Sequence, residues 1–228
     1  MSRVLPILFN TEMVRANLEG RKSCTRRIVK GFIPNDAKWG YTAFTPKGCI
    51  SCRGTFADGY GEKFFKLPCE PRDILYVRET WERFECWNCE GDESGSCPKE
   101  PQKSVLDKVC GCYMYRATDE ISGDAKWHPS IRMPKEAARI WLKVTDVRVE
   151  RLQKITEDGC IAEGIYPSNC RGCNATFGCD ACPDEGYNEV DGFADLWNST
   201  IKKSDLDRYS WDANPWVWVI GFERCEKP

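Results

Sequence analysis

The run Gly20-Arg21-Lys22-Ser23-Cys24-Thr25-Arg26-Arg27 decides how this chain is read. It follows a short amphipathic segment, Thr11 to Glu19, and leads into an extended one that reaches Val29. Gly20 tolerates the left-handed backbone a helix end often needs, so it is expected to close a helix capped by Asn10 or Thr11. Val14 and Leu18, four apart, would form the inner face of that helix. Beyond it, Lys22 to Val29 predicts a strand. A regular strand puts Lys22, Cys24 and Arg26 on one face, and Ser23, Thr25 and Arg27 on the other. Lys22 and Thr25 can share a site only if the backbone bends or bulges between them. Arg15, Arg21, Lys22, Arg26, Arg27 and Lys30 fall within sixteen residues, against Glu12 and Glu19 alone. Two readings stand: a solvated turn with scattered surface charge, or a pocket for an anionic or polar partner such as a nucleotide.

Upstream, Val4 to Phe9 predicts a first strand. Downstream, residues 31 to 70 are rich in Gly, Pro and Lys with little periodicity, which predicts a long irregular insertion. Pro71-Arg72-Asp73 is a turn into the strand Ile74 to Val77, and Arg78-Glu79-Thr80-Trp81 follows directly. Tyr113 to Arg116 reads as a short strand, Trp127 to Ser130 as a loop, and Pro134 to Ala138 as a helical turn. The longest strand is Arg139 to Glu150. Its apolar phase runs Ile140, Leu142, Val144 and then shifts to Val147 and Val149, which requires a bulge near Thr145-Asp146 where the sheet curls. Thr156-Glu157-Asp158 is a helix start, with a capping hydroxyl and acids at the positive end. That helix carries Cys160, Ile161, Glu163 and Ile165. Phe193 to Ile201 is a further helix. Pro215 to Phe222 is apolar on both faces, as a central or barrel-closing strand is. The sum is an α+β fold: one domain over residues 1–228, a small mixed β-barrel with two or three helices, and Cys-rich insertions at about 45–70, 84–112 and 166–189.

The net charge of -2 argues against a strong non-specific duplex binder, which would be basic overall. Nine tryptophans suit a β-rich core or stacking surfaces. No stretch reads as a secretory signal or a membrane span, so the expectation is a cytoplasmic protein without a membrane partner. Fifteen cysteines in a reducing compartment point to metal rather than disulfides, and the odd count fits complete pairing poorly.

Cys170-x2-Cys173-x5-Cys179-x2-Cys182 is the strongest motif. Two C-x-x-C knuckles on a short linker can wrap four thiolates round one tetrahedral zinc. Such a closed site has no open position and is structural, holding a loop that lacks a core of its own. A second zinc would draw four ligands from Cys86, Cys89, Cys97, Cys110 and Cys112. Cys49, Cys52 and Cys69 form a weaker set, or complete a site with Cys86 and Cys89. An iron–sulfur cluster is the alternative occupant. Cys24, Cys160 and Cys225 stand alone and read as small core residues. The single histidine, His128, precedes a proline in a loop and reads as structural.

Gly20-Arg21-Lys22-Ser23-Cys24-Thr25-Arg26-Arg27 resembles the signature of ASCH domains, Gly-x-Lys-x-x-(Glu or Thr)-x-Arg, within the PUA-like superfamily. Pro71 to Trp81 is similar to the Gly-Asp-x-Leu-x-Val-Arg-Glu-Thr-Trp strand of the phage and prophage branch, with Pro-Arg in place of the glycine turn. Val144 to Leu152, Ala162 to Ile165 and Trp216 to Phe222 also resemble that branch. The resemblance implies a PUA-like β-barrel that binds RNA or a modified nucleoside in a cleft beside the signature. Arg21, Arg26, Arg27, Arg78, Glu79 and Trp81 would contact the ligand, and one or more of Trp81, Trp127 and Trp218 would stack on a base. One branch of the family hydrolyses 4-acetylcytidine with a Lys, a Thr and a Glu, which correspond to Lys22, Thr25 and Glu163. In that reading Lys22 deprotonates Thr25, Thr25 attacks the amide carbonyl, and Glu163 protonates the leaving amine. Glu163 could equally be a partner carboxylate for Lys22 or Arg27, a role open to Glu79 as well. A third reading is a protein-interaction module that uses the zinc loops.

Overall fold

The apolar run at the start forms β1 (Val4–Leu8) and leads into α1 (Thr11–Leu18). Asn10 caps that helix, its side-chain oxygen accepting the Met13 N–H at 2.8 Å, and Gly20 leaves it with φ +80°. A computed structural model describes residues 2–85, 102–103, 110–120, 126–165 and 189–228. After α1 come β2 (Cys24–Ile28), β3 (Lys38–Gly40), β4 (Cys49–Phe56), β5 (Gly59–Lys66) and β6 (Ile74–Arg78). Then follow β7 (Trp81–Glu85), β8 (Gln102–Lys103), β9 (Cys110–Tyr115) and the long β10 (Trp141–Arg151). The chain continues through α2 (Glu157–Ala162), α3 (Glu189–Thr200), the one-turn α4 (Leu206–Tyr209) and β11 (Trp216–Cys225). No helix among the described residues is long and apolar enough to cross a membrane.

The fold is mixed α+β. Its main sheet has five strands in the order β1-β6-β10-β11-β2, with β1 and β6 parallel and the other neighbours antiparallel. β11 lies between β10 and β2, which is why both of its faces are apolar: Val217, Val219 and Ile220 are buried, as are Trp218 and Phe222. The register of β10 against β11 slips between Val144 and Asp146, at the expected phase shift. The expected barrel does not close among the described residues. β1 and β2 remain the outer strands, joined in sequence by α1. The Arg27 side chain crosses between these two edges, its Nη2 donating to the Leu8 carbonyl at 3.0 Å.

Residues 31 to 70 are not irregular. They hold a second sheet of three antiparallel strands, β3-β4-β5, in which a tight turn at Ala57-Asp58 pairs Phe56 with Gly59. One side of this sheet packs on the main core through Trp39, Ile50 and Phe65. A third sheet, β7-β9-β8, carries a small cluster in which Trp81 packs beside Tyr113, Met133 and Trp141. The helices α2 and α3 cover the other side of β11, where Cys160, Phe193 and Trp197 meet Val217 and Val219.

Candidate functional site

The site forms where the end of α1 meets the end of α2. The chain leaving α1 is held by Lys22 N–H to the Ala16 carbonyl at 3.0 Å and by Asn17 Nδ2 to the Lys22 carbonyl at 3.1 Å. Ser23 N–H then donates to the Ala162 carbonyl at 2.9 Å, so the signature is tied directly to the last turn of α2. Gly164 makes this approach workable. Its φ is +94°, and a Cβ there would lie 2.6 Å from the Ala16 Cβ. Only glycine satisfies both demands.

Glu163 caps α2 and turns inward between two cations of the signature. Lys22 Nζ donates to Glu163 Oε2 at 2.8 Å and to the Glu163 carbonyl at 2.7 Å. Arg26 Nη1 donates to Glu163 Oε1 at 3.2 Å, and its Nη2 lies 3.8 Å from Glu150 Oε2. The side chains of Lys22, Arg26 and Glu163 are 0%, 3% and 3% exposed, so this is a buried triad of two cations and one carboxylate. Burial pushes the Lys22 pKa below its ordinary 10.5, and the pull of Glu163 opposes that shift without cancelling it. Burial, with Glu163 nearby, pushes the Cys24 thiol up to about 11, which keeps it protonated. The Arg26 Nε–H is buried and has no hydrogen-bond partner among the described residues.

A cavity of about 340 Å³ opens beside this triad. Arg26, Arg27 and Glu163 form its polar end. Met13, Phe193, Leu196 and Trp197 line its apolar wall. A largely apolar pocket with a few convergent polar groups is the usual form of a small-molecule site, and the volume lies within the usual range of about 300–1,000 Å³.

Lys22 and Glu163 are thus brought together. Thr25 is fully buried, and its hydroxyl accepts a hydrogen bond from Arg27 Nη1 at 2.9 Å. No hydrogen bond joins Thr25 to Lys22 or Glu163 among the described residues, in keeping with the alternation of a regular strand. Arg21 pairs with Glu19 and donates to the Gly164 carbonyl at 2.7 Å, at the edge of the same junction. Arg26, whose partner had not been anticipated, is the second cation on Glu163. The alternation of Lys22, Cys24 and Arg26 on one strand face was the signal for it.

The other expected ligand contacts lie elsewhere. Glu79 is buried and takes both oxygens of its carboxylate to Arg139, with Nε and Nη2 each at 2.9 Å. Burial raises the Glu79 pKa above its ordinary 4.5, opposed by Arg139. Arg139 in turn stacks over the Tyr115 ring at 4.0 Å. Arg78 donates to the carbonyls of Ile131 and Met133, and Trp81 packs against Tyr113 and His128. Trp218 lies in the main core at 6% exposure, edge-on to Trp39, so it is closed to a base. Trp127 is half-buried in the loop beside His128.

Cys86, Cys89, Cys97, Cys170, Cys173, Cys179 and Cys182 lie outside the described residues, and Cys110 and Cys112 fall on β9. Cys49, Cys52 and Cys69 do not assemble a metal site with one another. Among the described residues no group of three or more His, Cys, Asp or Glu is placed to hold a metal ion. Cys49 and Cys52 lie three apart on β4, which sends their thiols to opposite faces. Compared with protein-family models, curated proteins and solved structures, the chain matches none.

Proposed function

We propose that the chain is an ASCH-type domain of PUA-like fold that binds a modified nucleoside, free or within RNA, in the cavity beside Glu163. The observation that carries this reading is the cavity of about 340 Å³ itself, with Arg26, Arg27 and Glu163 at its polar end and Phe193 and Trp197 on its apolar wall. A nucleoside fits the rest: its base offers acceptors and donors on one edge and flat faces for Phe193 and Trp197. Titration with cytidine, 4-acetylcytidine and other modified nucleosides, read by isothermal titration calorimetry, tests the proposal. Binding of one of them, abolished by Leu196→Trp in the cavity wall, supports it. A panel without binding, or equal binding by the Leu196→Trp protein, overturns it.

A second reading is favoured by the Lys22–Glu163 contact, which joins two of the three groups of the amidohydrolase branch. A lysine with a lowered pKa is suited to base chemistry. Its proton acceptor role toward Thr25 would require Lys22 Nζ to turn from Glu163 and reach the Thr25 hydroxyl, which keeps its own proton while accepting from Arg27. Release of cytidine from 4-acetylcytidine, lost in Lys22→Ala and Thr25→Ala proteins that remain folded, would establish hydrolysis. Absence of turnover by a protein that binds the same nucleoside would leave binding alone.

For the Cys-rich loops the proposal is structural zinc on Cys170, Cys173, Cys179 and Cys182, supported by the knuckle spacing. A second zinc on four of Cys86, Cys89, Cys97, Cys110 and Cys112 belongs to the same proposal. Metal analysis of protein purified without chelator should find zinc, and protein that carries none would defeat it.

A further inference from the structure

The outward side of the β3-β4-β5 sheet is unlike the rest of the surface. Pairing places Lys38, Arg53 and Glu62 in one row across the three strands, with Thr55 and Tyr60 in the next and Cys49 and Lys66 at the far end. Phe64 pairs with Ser51 between these rows. Tyr60 is 71% exposed and Phe64 42%, although an aromatic residue on a sheet normally turns to the core. Their spacing of four residues sets the rings about 14 Å apart along β5. The adjoining turn is fastened to this side by Thr42 Oγ1, which donates to Glu62 at 3.4 Å. That turn carries Tyr41 at 67% and Phe44 at 83% exposure. Two aromatic rings, Tyr60 and Phe64, therefore stand out to water on one side of a small sheet, with Tyr41 and Phe44 exposed on the turn beside it.

Charge decides what would cover them. Lys38, Arg53 and Lys66 are exposed and form no ion pair among the described residues. The two carboxylates on this side are engaged by hydroxyls: Glu62 accepts from Ser51 and Thr42, and Asp36 accepts from Thr55 Oγ1 at 2.8 Å. Asp36 also lies within electrostatic reach of Lys38. A protein-docking patch is depleted of lysine at its centre. Cations interleaved with proud aromatic rings instead suit a backbone of phosphates whose bases are free to stack. A duplex keeps its bases stacked inside and would leave the rings unused.

We propose that this side of the β3-β4-β5 sheet binds single-stranded nucleic acid, with Tyr60 and Phe64 stacking on bases and Lys38, Arg53 and Lys66 contacting phosphates. This is a second site, separate from the cavity beside Glu163. Fluorescence anisotropy of labelled 12-mer oligo(U) and oligo(dU) tests it. Binding of either oligomer supports the proposal, and the ratio between the two names the sugar that is read. Three phosphate contacts give a slope of log K against log salt of about -2. Tyr60→Ala and Phe64→Ala should each weaken binding ~10-fold, and Arg53→Glu should weaken it and flatten the salt slope. Leu196→Trp should leave oligomer binding intact, which separates this site from the nucleoside cavity. The proposal is overturned by absence of oligomer binding, by unchanged binding in the Tyr60→Ala and Phe64→Ala proteins, or by equal affinity for blunt duplex. Sedimentation as a dimer that the Tyr60→Ala/Phe64→Ala double variant dissociates would assign the face to a second copy and overturn it too.

Discussion

Glu163 and Glu79 are both buried carboxylates held by cations from distant parts of the chain, yet they are built differently. Glu79 meets one arginine, Arg139, whose fork matches its two oxygens and whose remaining nitrogen donates to Thr118 Oγ1 at 2.8 Å. Charge and hydrogen bonds balance there, and the side chain of Arg139 still reaches water at 26% exposure. Glu163 meets two cations, Lys22 and Arg26, neither of which reaches water, and one of which retains an unpartnered donor. A balanced pair pins a fold. At Glu163 the two cations share one buried carboxylate, with half-buried Glu150 3.8 Å from Arg26, and a cavity lies beside them.

The widest separation between the two should come from removing each negative charge. Glu163→Gln leaves Lys22 and Arg26 buried with too little counter-charge and is expected to destabilise the fold by about 3–5 kcal/mol in urea titrations. Glu79→Gln removes a charge that burial already disfavours and leaves an arginine that water can reach, so a loss of about 1 kcal/mol or less is expected. Equal losses would break the distinction. Gly164→Ala attacks the junction from outside the charges. With its Cβ 2.6 Å from the Ala16 Cβ and φ at +94°, it should cost about 2–3 kcal/mol. Pairing it with Ala16→Gly should recover the steric part and leave the backbone part.

Titration sharpens the comparison further. The folded-state pKa of Glu79 is raised above 4.5, so between 4.5 and the raised value the folded protein holds more protons than the unfolded chain. Its contribution is therefore present below pH 4.5 and falls as pH rises through the folded value. The stability difference between wild type and Glu79→Gln should shrink across that interval. A difference that grows with pH there would contradict the desolvation of Glu79.

Much of this architecture was legible because it depends on local pattern. The cap at Asn10, the turn at Gly20, the slip between Val144 and Asp146 and the two-faced apolar strand β11 each leave a periodic or positional mark. Lys22 with Glu163 came from the family resemblance, since nothing within either segment says that residues 141 positions apart will meet. The second sheet was missed because β5 alternates poorly. Lys63 faces the packed side, where it sits 4.3 Å from the Phe56 ring centre, while Tyr60 and Phe64 face water, inverting the usual pattern. The Asp58-Gly59 pair was the available hairpin signal. The partner of Glu79 was hidden for a similar reason, since Arg139 lies 60 residues away in a segment read as the start of a strand.

The smallest effect concerns Arg72, and it makes the others measurable. Arg72 holds φ at +77°, a left-handed backbone in the turn before β6. A side chain in left-handed backbone costs roughly 1–2 kcal/mol, while glycine loses about 0.5–1 kcal/mol more chain entropy on folding. Arg72→Gly should therefore stabilise the protein by roughly 0.5–1 kcal/mol. Its neighbour Asp73 is unaffected by the exchange, because Asp73 is held by the Arg3 side chain and by the Arg3 and Glu70 N–H groups. A rise in the urea midpoint at constant slope is the expected reading. Placed beneath Glu163→Gln and Glu79→Gln, the same change should add equally to both, since neither carboxylate touches the turn. Unequal addition would mean that the turn into β6 is coupled to one of the two carboxylates. Coupling to Glu79, the residue just past the far end of β6, would make that pair part of the sheet's own register rather than a separate clamp.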